Sequence, residues 1–456
     1  MSSYKGITVE NKQKKILTEM ATGIPSINSG KSKKQNVIPF RLEYEGKIPI
    51  EDILKIPVAK LHRIISVDEH PRNRLIYGEN LRVLSSFLKD DTIAGKVSLI
   101  YIDPPYATGS SFESRQRDHA YHDLMEGAEY LEFLRQRLVL LREVLSEEGS
   151  IYIHLDDKMA SAVKIIMDEI FGSKNFRNWI TRKKCNPKNY TRKQYGNTAD
   201  YILFYTKTDN YIWNQPFNPW TETTAKKEYQ YVEKETGRVY KKVPVHAPGV
   251  RKGATGQPWR EMLPPPGKHW QYTPETLDEM DARGEIYWSP TGNPRRKVYL
   301  DNSQGISVQD IWLDFKDAHN QNIKITGYPT EKNPDMIKRI ILASSNEGDI
   351  VLDAFAGSGT TAAIAEELGR KWIAIDNSQL AIATIVQRLV KGTEVMGDFI
   401  NGNSSAKYEQ KCLIGINRIL RSGLDLYIEE TPELEFISDT VIDDWDSKLN
   451  FQANLV

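Results

Sequence analysis

The chain has 456 residues, a formal net charge of zero, 27% charged residues and two cysteines, Cys185 and Cys412. That length can bury a large core and hold two domains with arms. The two distant cysteines exclude a disulfide framework or a zinc cluster, no apolar run is long enough to span a bilayer, and the N-terminus lacks a signal-peptide core. The expectation is a cytoplasmic protein with no metal site and no membrane contact.

Residues 1–70 are polar and Lys-rich, broken only by the apolar piece IEDILKIP, and are expected to form an N-terminal arm. LIYGENLRVLSSF, residues 75–87, predicts a short strand, a Gly-Glu-Asn turn and an amphipathic helix. Glu79 and Asn80 in that turn are open to two readings, a ligand edge or a surface turn.

SLIYIDPPYATGSSF, residues 98–112, predicts a buried strand whose tip carries Asp103, Pro104, Pro105 and Tyr106. Two adjacent prolines fix the backbone and remove two N–H donors, so carbonyls there can face a ligand without a competing donor. A carboxylate and such a carbonyl can grip an exocyclic amino group, while Tyr106 stacks on the ring that carries it. These parts suit a flipped-out base.

EYLEFLRQRLVLLREVL, residues 129–145, predicts a core helix, followed by a strand, GSIYIHLDD, ending in Asp156 and Asp157 at the cleft edge. His154 and His119 read as ordinary core or surface histidines, since no acid–base partner is legible beside them. From Arg177 to Lys268 there are 18 Lys and Arg against 7 Asp and Glu, with Trp179, Tyr190 and Tyr195 near the densest patch. Positive charge interleaved with rings is what phosphate and base contacts require. Arg182, Lys183, Lys184 and Arg192 lie in that patch. The Gly-, Pro-, Trp- and Tyr-rich stretch that follows predicts short strands and turns with exposed rings and guanidiniums, among which Arg251, Arg260, Arg295 and Arg296 are candidates for guanine edges or phosphates. DYILFYT, residues 200–206, reads as a sheet strand before this insertion.

IVLDAFAGSGTT, residues 350–361, is an apolar strand, an acid, a Gly-rich turn and the start of a helix over Ala362–Leu368 capped by Thr360 and Thr361. KWIAID then ends in Asp376, 23 residues beyond Asp353, where a doubly wound fold puts an acid for ribose hydroxyls. The pattern D-x-F-x-G-x-G lacks the third glycine of a dinucleotide fingerprint, which disfavours a nicotinamide-dependent oxidoreductase. Asp353 suits a cationic, amino-acid-bearing cofactor instead. From Asp425 to Asp446 there are nine acids and no Lys or Arg, read as part of an acidic tail over 401–456 that points away from DNA or meets a protein partner.

Asp103–Tyr106 and Asp353–Gly359 together resemble the DPPY and S-adenosylmethionine motifs of DNA amino-methyltransferases, and their order resembles the beta group, with type III modification subunits and orphan adenine methyltransferases. The resemblance covers residues 74–400. It implies an α/β fold, a doubly wound mixed sheet with a catalytic half at 71–182, a target-recognition insertion at 183–325 and a cofactor-binding half at 326–400. It further implies S-adenosyl-L-methionine as cofactor, held by Asp353, Phe355, Gly357, Ser358, Gly359, Thr360 and Asp376. The segment YPTEKNP at 328–334 is similar to the family's T-x-K-P segment, with Asn333 between Lys332 and Pro334, which implies that Thr330 and Lys332 face the methionine end. Asn80 is implied near the cofactor's adenine. The implied reaction is methylation of adenine N6 in double-stranded DNA, with cytosine N4 or a modification subunit as alternatives. A homodimer or a restriction subunit as partner, and a prokaryotic or phage protein at the nucleoid, follow from the same resemblance.

Overall fold

The computed structural model describes residues 41–66, 73–105, 111–113, 119–122, 127–186, 193–316, 324–325, 331–391, 394–395 and 424–430. They fall into two compact units, one drawn from residues up to Asn214 and from Gln309 onward, the other Gln215–Val308.

The first unit is built on a ten-stranded sheet. Its strands in chain order are β1 (Leu61–Ser66), β2 (Asn73–Tyr77), β3 (Val97–Ile102), β4 (Leu145–Leu155), β5 (Phe176–Lys183), β6 (Ala199–Thr206), β7 (Ile311–Trp312), β8 (Ile350–Asp353), β9 (Lys371–Asp376) and β10 (Leu424–Glu429). Their order across the sheet is β1-β10-β2-β9-β8-β3-β4-β6-β5-β7. The run from β10 to β4 is parallel throughout, and the apolar sequences of its middle strands follow from that. A parallel strand covered by helices on both faces buries every residue rather than every second one. All six residues of β3 are buried accordingly. Each large aliphatic side chain so placed contributes about 1.5–3 kcal/mol of burial, which favours β3 at the centre over any edge position.

Among the described residues, six helices of eight residues or more accompany the sheet, beside a four-residue helix at Ile50–Ile53: α1 (Asn80–Phe87), α2 (Gly127–Val144), α3 (Ala160–Phe171), α4 (Pro334–Ser344), α5 (Thr360–Glu367) and α6 (Gln379–Lys391). From β8 the chain passes through α5 to β9 on one side, whereas β3 leads through α2 to β4 on the other. Neighbours β8 and β3 therefore flank the point where the winding reverses. In open α/β sheets the crevice beyond the carboxyl ends of such a pair is the ligand site.

Four expectations are corrected. The N-terminal arm is not wholly an arm: Ile53 is fully buried, Tyr44 Oη donates to Glu132 Oε2 of α2 at 2.7 Å, and β1 pairs with β10. The acidic tail contains an interior strand, β10, between β1 and β2, with Asp425 and Glu429 buried. Helix α5 begins at Thr360, two residues before the expected start, and its N-cap is Gly359 with no side-chain cap. Finally, the second compact unit spans 215–308, narrower than 183–325: β6 lies in the main sheet as its sequence suggested, and β7 joins that sheet beside β5.

The second unit carries a four-stranded antiparallel sheet of residues 231–232, 239–244, 294–299 and 286–288. Its rings are not generally exposed as expected. Trp259 and Trp270 are buried with Val245, Leu277, Met280 and Ile286 in a core of the unit's own.

Candidate active site

Three adjacent parallel strands end in carboxylates. Asp376 closes β9, Asp353 closes β8, and Asp103 follows β3 directly; Leu352 is paired with Ile100 and Asp353 with Ala374. The two motifs, 250 residues apart in sequence, thus meet at one crevice.

The Gly-rich turn is built from backbone constraints. Asp353 Oδ1 accepts from the Phe355 N–H at 3.0 Å and Oδ2 from the Thr361 hydroxyl at 2.6 Å. Asp376 Oδ2 accepts from the Gly357 N–H at 2.8 Å, and Oδ1 from the Ser378 N–H at 2.9 Å. Gly357 and Gly359 have φ of +49° and +71°, a region costly for residues with a Cβ. A Cβ at Gly359 would lie 2.6 Å from Ile385 Cγ1, so the turn needs glycine there on two counts. Burial pushes the Asp353 carboxyl up to about 7, against hydrogen bonds from Thr361 and Phe355, and the charges of Asp103 and Asp376 raise it further. Burial also raises Asp376, with the Gly357, Ser378 and Asn377 amides opposing.

Residues that the sequence reading passed over hold this turn. The buried Arg388 donates through Nη1 to the Ser358 carbonyl at 2.9 Å, Ser358 Oγ at 3.1 Å and Thr360 Oγ1 at 2.9 Å, and through Nη2 to Glu331 Oε1 at 2.7 Å. Ser358 and Thr360 are thereby committed to an internal network. Next to Glu331, Lys332 extends its Nζ to Asp103 Oδ2 at 2.7 Å. One dipeptide thus reaches both motifs. Asn333, the extra residue before Pro334, is the N-cap of α4: its Oδ1 accepts from the Asp335 N–H at 2.9 Å, and Pro334 occupies the first helical turn. Asn80 Nδ2 donates to the Ala354 carbonyl at 2.8 Å, while its Oδ1 accepts from Arg137. Its turn is held in part from β10, where Glu429 Oε2 accepts from the Glu79 N–H at 2.7 Å.

Asp103 is half-buried, Pro104 buried and Pro105 half-buried. Tyr106, Thr330 and Arg192 lie outside the described residues, as do the side chain of His119 and the ring of Tyr190. Behind Asp103 a polar row crosses the sheet. Tyr101 Oη is 2.9 Å from His154 Nδ1, Asp103 Oδ1 is 3.9 Å from the same nitrogen, and His154 Nε2 is 2.9 Å from Asp200 Oδ2. Arg182 Nη1 then meets Asp200 Oδ2 at 2.9 Å and its Nε donates to the Phe315 carbonyl at 2.7 Å. Burial works to raise Asp200, but His154, Arg182 and Lys332 outweigh it and hold the carboxyl far below the usual carboxylate range.

This row corrects the placement of Arg182 on a DNA-contacting surface. Its side chain is fully buried and ion-paired, because β5 is covered rather than solvated at that point. His154 is a core histidine as expected, yet it does have acid partners, which strand pairing alone brings to it. Lys183 and Lys184 are half-buried. In the second unit Arg260 is held by Asp278 and Asp281 at 2.7 and 2.6 Å, and Arg296 donates to the Tyr272 hydroxyl. Arg251 and Arg295 are exposed. Asp156, expected at the cleft edge, accepts from the Lys158 and Met159 amides before α3.

Comparison with known proteins agrees with this geometry. The family model described as "DNA methylase" of the N6/N4 type matches residues 97–387, more than half of the chain and both motifs. The type II methyltransferase M.EcaI of Enterobacter cloacae is 48% identical over 404 residues, covering 87% of this chain and 85% of that protein. The Mod subunit of the type III restriction-modification enzyme StyLTI of Salmonella typhimurium is 27% identical over 339 residues, 66% of this chain and 51% of the relative. Among solved structures, a complex of M1.HpyAVI with SAM has a TM-score of 0.38 at 16% identity, covering 69% of this chain and 98% of its own. The cytosine-N4-specific PvuII DNA methyltransferase has a TM-score of 0.38 at 17% identity, covering 78% and 96%. At those TM-scores neither likeness bears on the site. The family match and the relative at 48% identity do: the chain belongs to the N6/N4 DNA methylase family.

Proposed function

We propose that the chain transfers a methyl group from S-adenosyl-L-methionine to the N6 amino group of an adenine turned out of duplex DNA. The observation that carries this reading is the convergence of Asp103, Asp353 and Asp376 at the ends of three neighbouring parallel strands.

The residues fit the cofactor. Asp353 is a buried carboxyl beside a turn with two left-handed glycines, suited to an ammonium close to backbone. With Phe355, Gly357, Ser358, Gly359 and Thr360 it would hold the methionine portion, the serine and threonine through the backbone they shape. Asp376 would take the ribose hydroxyls, Asn80 would lie by the cofactor's adenine, and Thr330 near the methionine end. The sulfonium supplies an electrophilic methyl group, so placement is the protein's main task.

Asp103 and the Pro104 carbonyl accept hydrogen bonds from the target amino group and aim the nitrogen lone pair. Pro105 stiffens that tip, and Tyr106 stacks on the base. Asp103 need not be a strong base, because the nitrogen can shed its proton after gaining positive charge. The acid at the first position of the tetrapeptide supports adenine over cytosine. Unit 215–308 is assigned to target recognition, with Arg251 and Arg295 exposed for phosphate or base contact, and Lys183 and Lys184 leading into the basic stretch at 188–193. The relatives' names support a place in restriction–modification, and a place at the nucleoid of a prokaryotic or phage system would follow from DNA as the substrate. Among the described residues no helix is long and apolar enough to cross a membrane.

The test is methylation of duplex DNA followed by nucleoside mass spectrometry. N6-methyladenine is expected; N4-methylcytosine would move the target to cytosine, and no methylated base would overturn the reading. Asp103→Ala should abolish transfer and leave cofactor binding within a few-fold. Equal loss of both would make Asp103 structural.

A further inference from the structure

The four-stranded sheet of the second unit has two unlike faces. Ile286 and Trp288 belong to the unit's tryptophan core, so neighbours one position along the strand lie on the other face. Register carries that other face across the sheet, from Tyr231 to Tyr240 and Tyr299, from Lys242 to Lys297, and from Pro244 to Arg295 and Tyr287. It is a face of rings and cations. At one end the cations are matched. Lys297 Nζ lies 2.7 Å from Glu233 Oε1, and Arg238 donates to both oxygens of Asp301 at 2.7 Å.

At the other end they are not. Among the described residues no carboxylate is paired with Lys242, Arg295 or Lys268. Lys268 enters from the adjoining hairpin, where it is in register with Pro248. Burial lowers the His246 imidazole, and the charges of Lys268 and Arg295 lower it further, which puts both cations near one ring. Lys242 stands directly opposite Lys297, a like-charge pairing that costs stability in a sheet. Its Nζ lies 3.7 Å from the centre of the Tyr231 ring and 3.4 Å from that of Tyr287. Two ring faces hold an ammonium in place without neutralising it. Arg295 and Tyr231 are exposed, Lys242 and Tyr287 half-buried. Unmatched cations gathered at one end of a small sheet repel one another, so folding alone does not account for them.

We propose that this end of the sheet face, where Lys242, Arg295 and Lys268 gather beside Tyr231 and Tyr287, is a phosphate-contacting surface for duplex DNA. This rests on the reading of the unit as the target-recognition part of a DNA methyltransferase. A phosphate takes charge-assisted hydrogen bonds from an ammonium and a guanidinium. The two rings pre-set the ammonium, so less side-chain freedom is lost when it engages. Contacts of this class fix the position of a duplex and carry no base preference. The surface therefore supplies affinity alike to methylatable and unrelated sequences.

The experiment is fluorescence anisotropy with the full chain at four salt concentrations, on a methylatable duplex and on an unrelated duplex of equal length, beside thermal unfolding curves. Lys242→Met keeps the stem and removes the charge. It should weaken both duplexes alike, about three- to tenfold, and lower the slope of log affinity against log salt by about 0.9. Lys242→Arg keeps the charge and should recover most of the affinity and the full slope. Tyr231→Leu/Tyr287→Leu leaves the charge but frees it, so affinity should fall about two- to threefold at an unchanged slope. An unchanged affinity for Lys242→Met, a loss without a change of slope, or a loss confined to the methylatable duplex would each overturn the proposal. Should Lys242→Met fail to fold, Arg295→Ala alters an exposed side chain only. A slope lower by about 0.9 supports the surface, and an unchanged slope overturns it. A parent chain that methylates DNA but is indifferent to both substitutions overturns the surface alone, whereas a parent that neither binds nor methylates a duplex overturns the methyl-transfer reading and the surface with it.

Discussion

Lys332 Nζ lies 2.7 Å from Asp103 Oδ2, with the two side chains 11% and 19% exposed. The pair joins the segment before α4, proposed to lie at the methionine end of the cofactor, to the tip of β3, proposed to grip the target amine. Two roles follow, and they separate kinetically. If Lys332 orients Asp103, Lys332→Met should slow single-turnover transfer about 10- to 100-fold at saturating cofactor, with partial recovery in Lys332→Arg, because an ion pair of this kind is partly buried and its geometry matters. A loss confined to cofactor affinity, with full rate at saturation, would place Lys332 at the methionine end alone.

If Asp353 takes the cofactor's ammonium as proposed, cofactor binding should be pH-dependent with a definite sign. Burial raises its carboxyl from the ordinary 3.8 to about 7, so the folded protein favours the neutral acid. Stability from this group is fully present below about pH 4 and is lost as pH rises through 7. A bound ammonium reverses the preference, because it needs the carboxylate. S-adenosylmethionine affinity should therefore rise between pH 5.5 and 7, by at most tenfold per unit, and level off above. Calorimetry in buffers of different ionisation enthalpy should detect proton release below pH 7. Asp353→Asn should flatten the profile, and an unflattened profile would assign the dependence to another group.

The parts of the site that were legible in the sequence are the local ones. Asp103-Pro104-Pro105 at a strand tip and the Asp353–Thr361 turn declare themselves because a strand, an acid and a turn are contiguous. What could not be read is pairing at long range. Asp425 and Glu429 look like members of an acidic tail, yet β10 is parallel to β2, 350 residues away in sequence, and Glu429 there holds the Glu79 amide. Arg182 sits in a run of four basic residues within seven positions and reads as solvated, until the antiparallel pairing of β5 with β6 brings Asp200 opposite it. His154 could have been suspected only from its place two residues after Tyr152, between the apolar Ile153 and Leu155. Arg388 carries no local signal, being one basic residue on an amphipathic helix.

Gly359 is the tightest point of the cofactor turn. Its φ of +71° lies in the left-handed region, and a Cβ there would fall 2.6 Å from Ile385 Cγ1. Gly359→Ala combines a backbone cost of about 1–2 kcal/mol with overpacking against α6. A destabilisation of about 1–3 kcal/mol in denaturant unfolding is expected, together with weaker S-adenosylmethionine binding. The paired variant Gly359→Ala/Ile385→Val, which trims the neighbour, should restore part of the stability. No restoration would mean that φ, rather than packing, dominates.

Arginines in the basic region should divide into two classes by experiment. Arg182 is fully buried against Asp200, and removing one partner of a buried pair leaves the other charge stranded, at a cost of about 3–5 kcal/mol. Arg182→Met should therefore lower the unfolding midpoint while leaving the salt dependence of DNA binding by the remaining folded protein unchanged. Arg251 and Arg295 are exposed on the second unit, whereas Arg260 is neutralised by Asp278 and Asp281. Arg251→Ala/Arg295→Ala should leave thermal unfolding unaltered, weaken duplex binding, and reduce the slope of log affinity against log salt by about 0.9 for each phosphate contact removed. Arg260→Ala should affect DNA binding least, since its charge is already matched within its own unit. Anisotropy titrations at four salt concentrations, run beside denaturation curves, distinguish the classes. A DNA-affinity loss for Arg260→Ala as large as that of the double variant would show that those ion pairs open on the duplex.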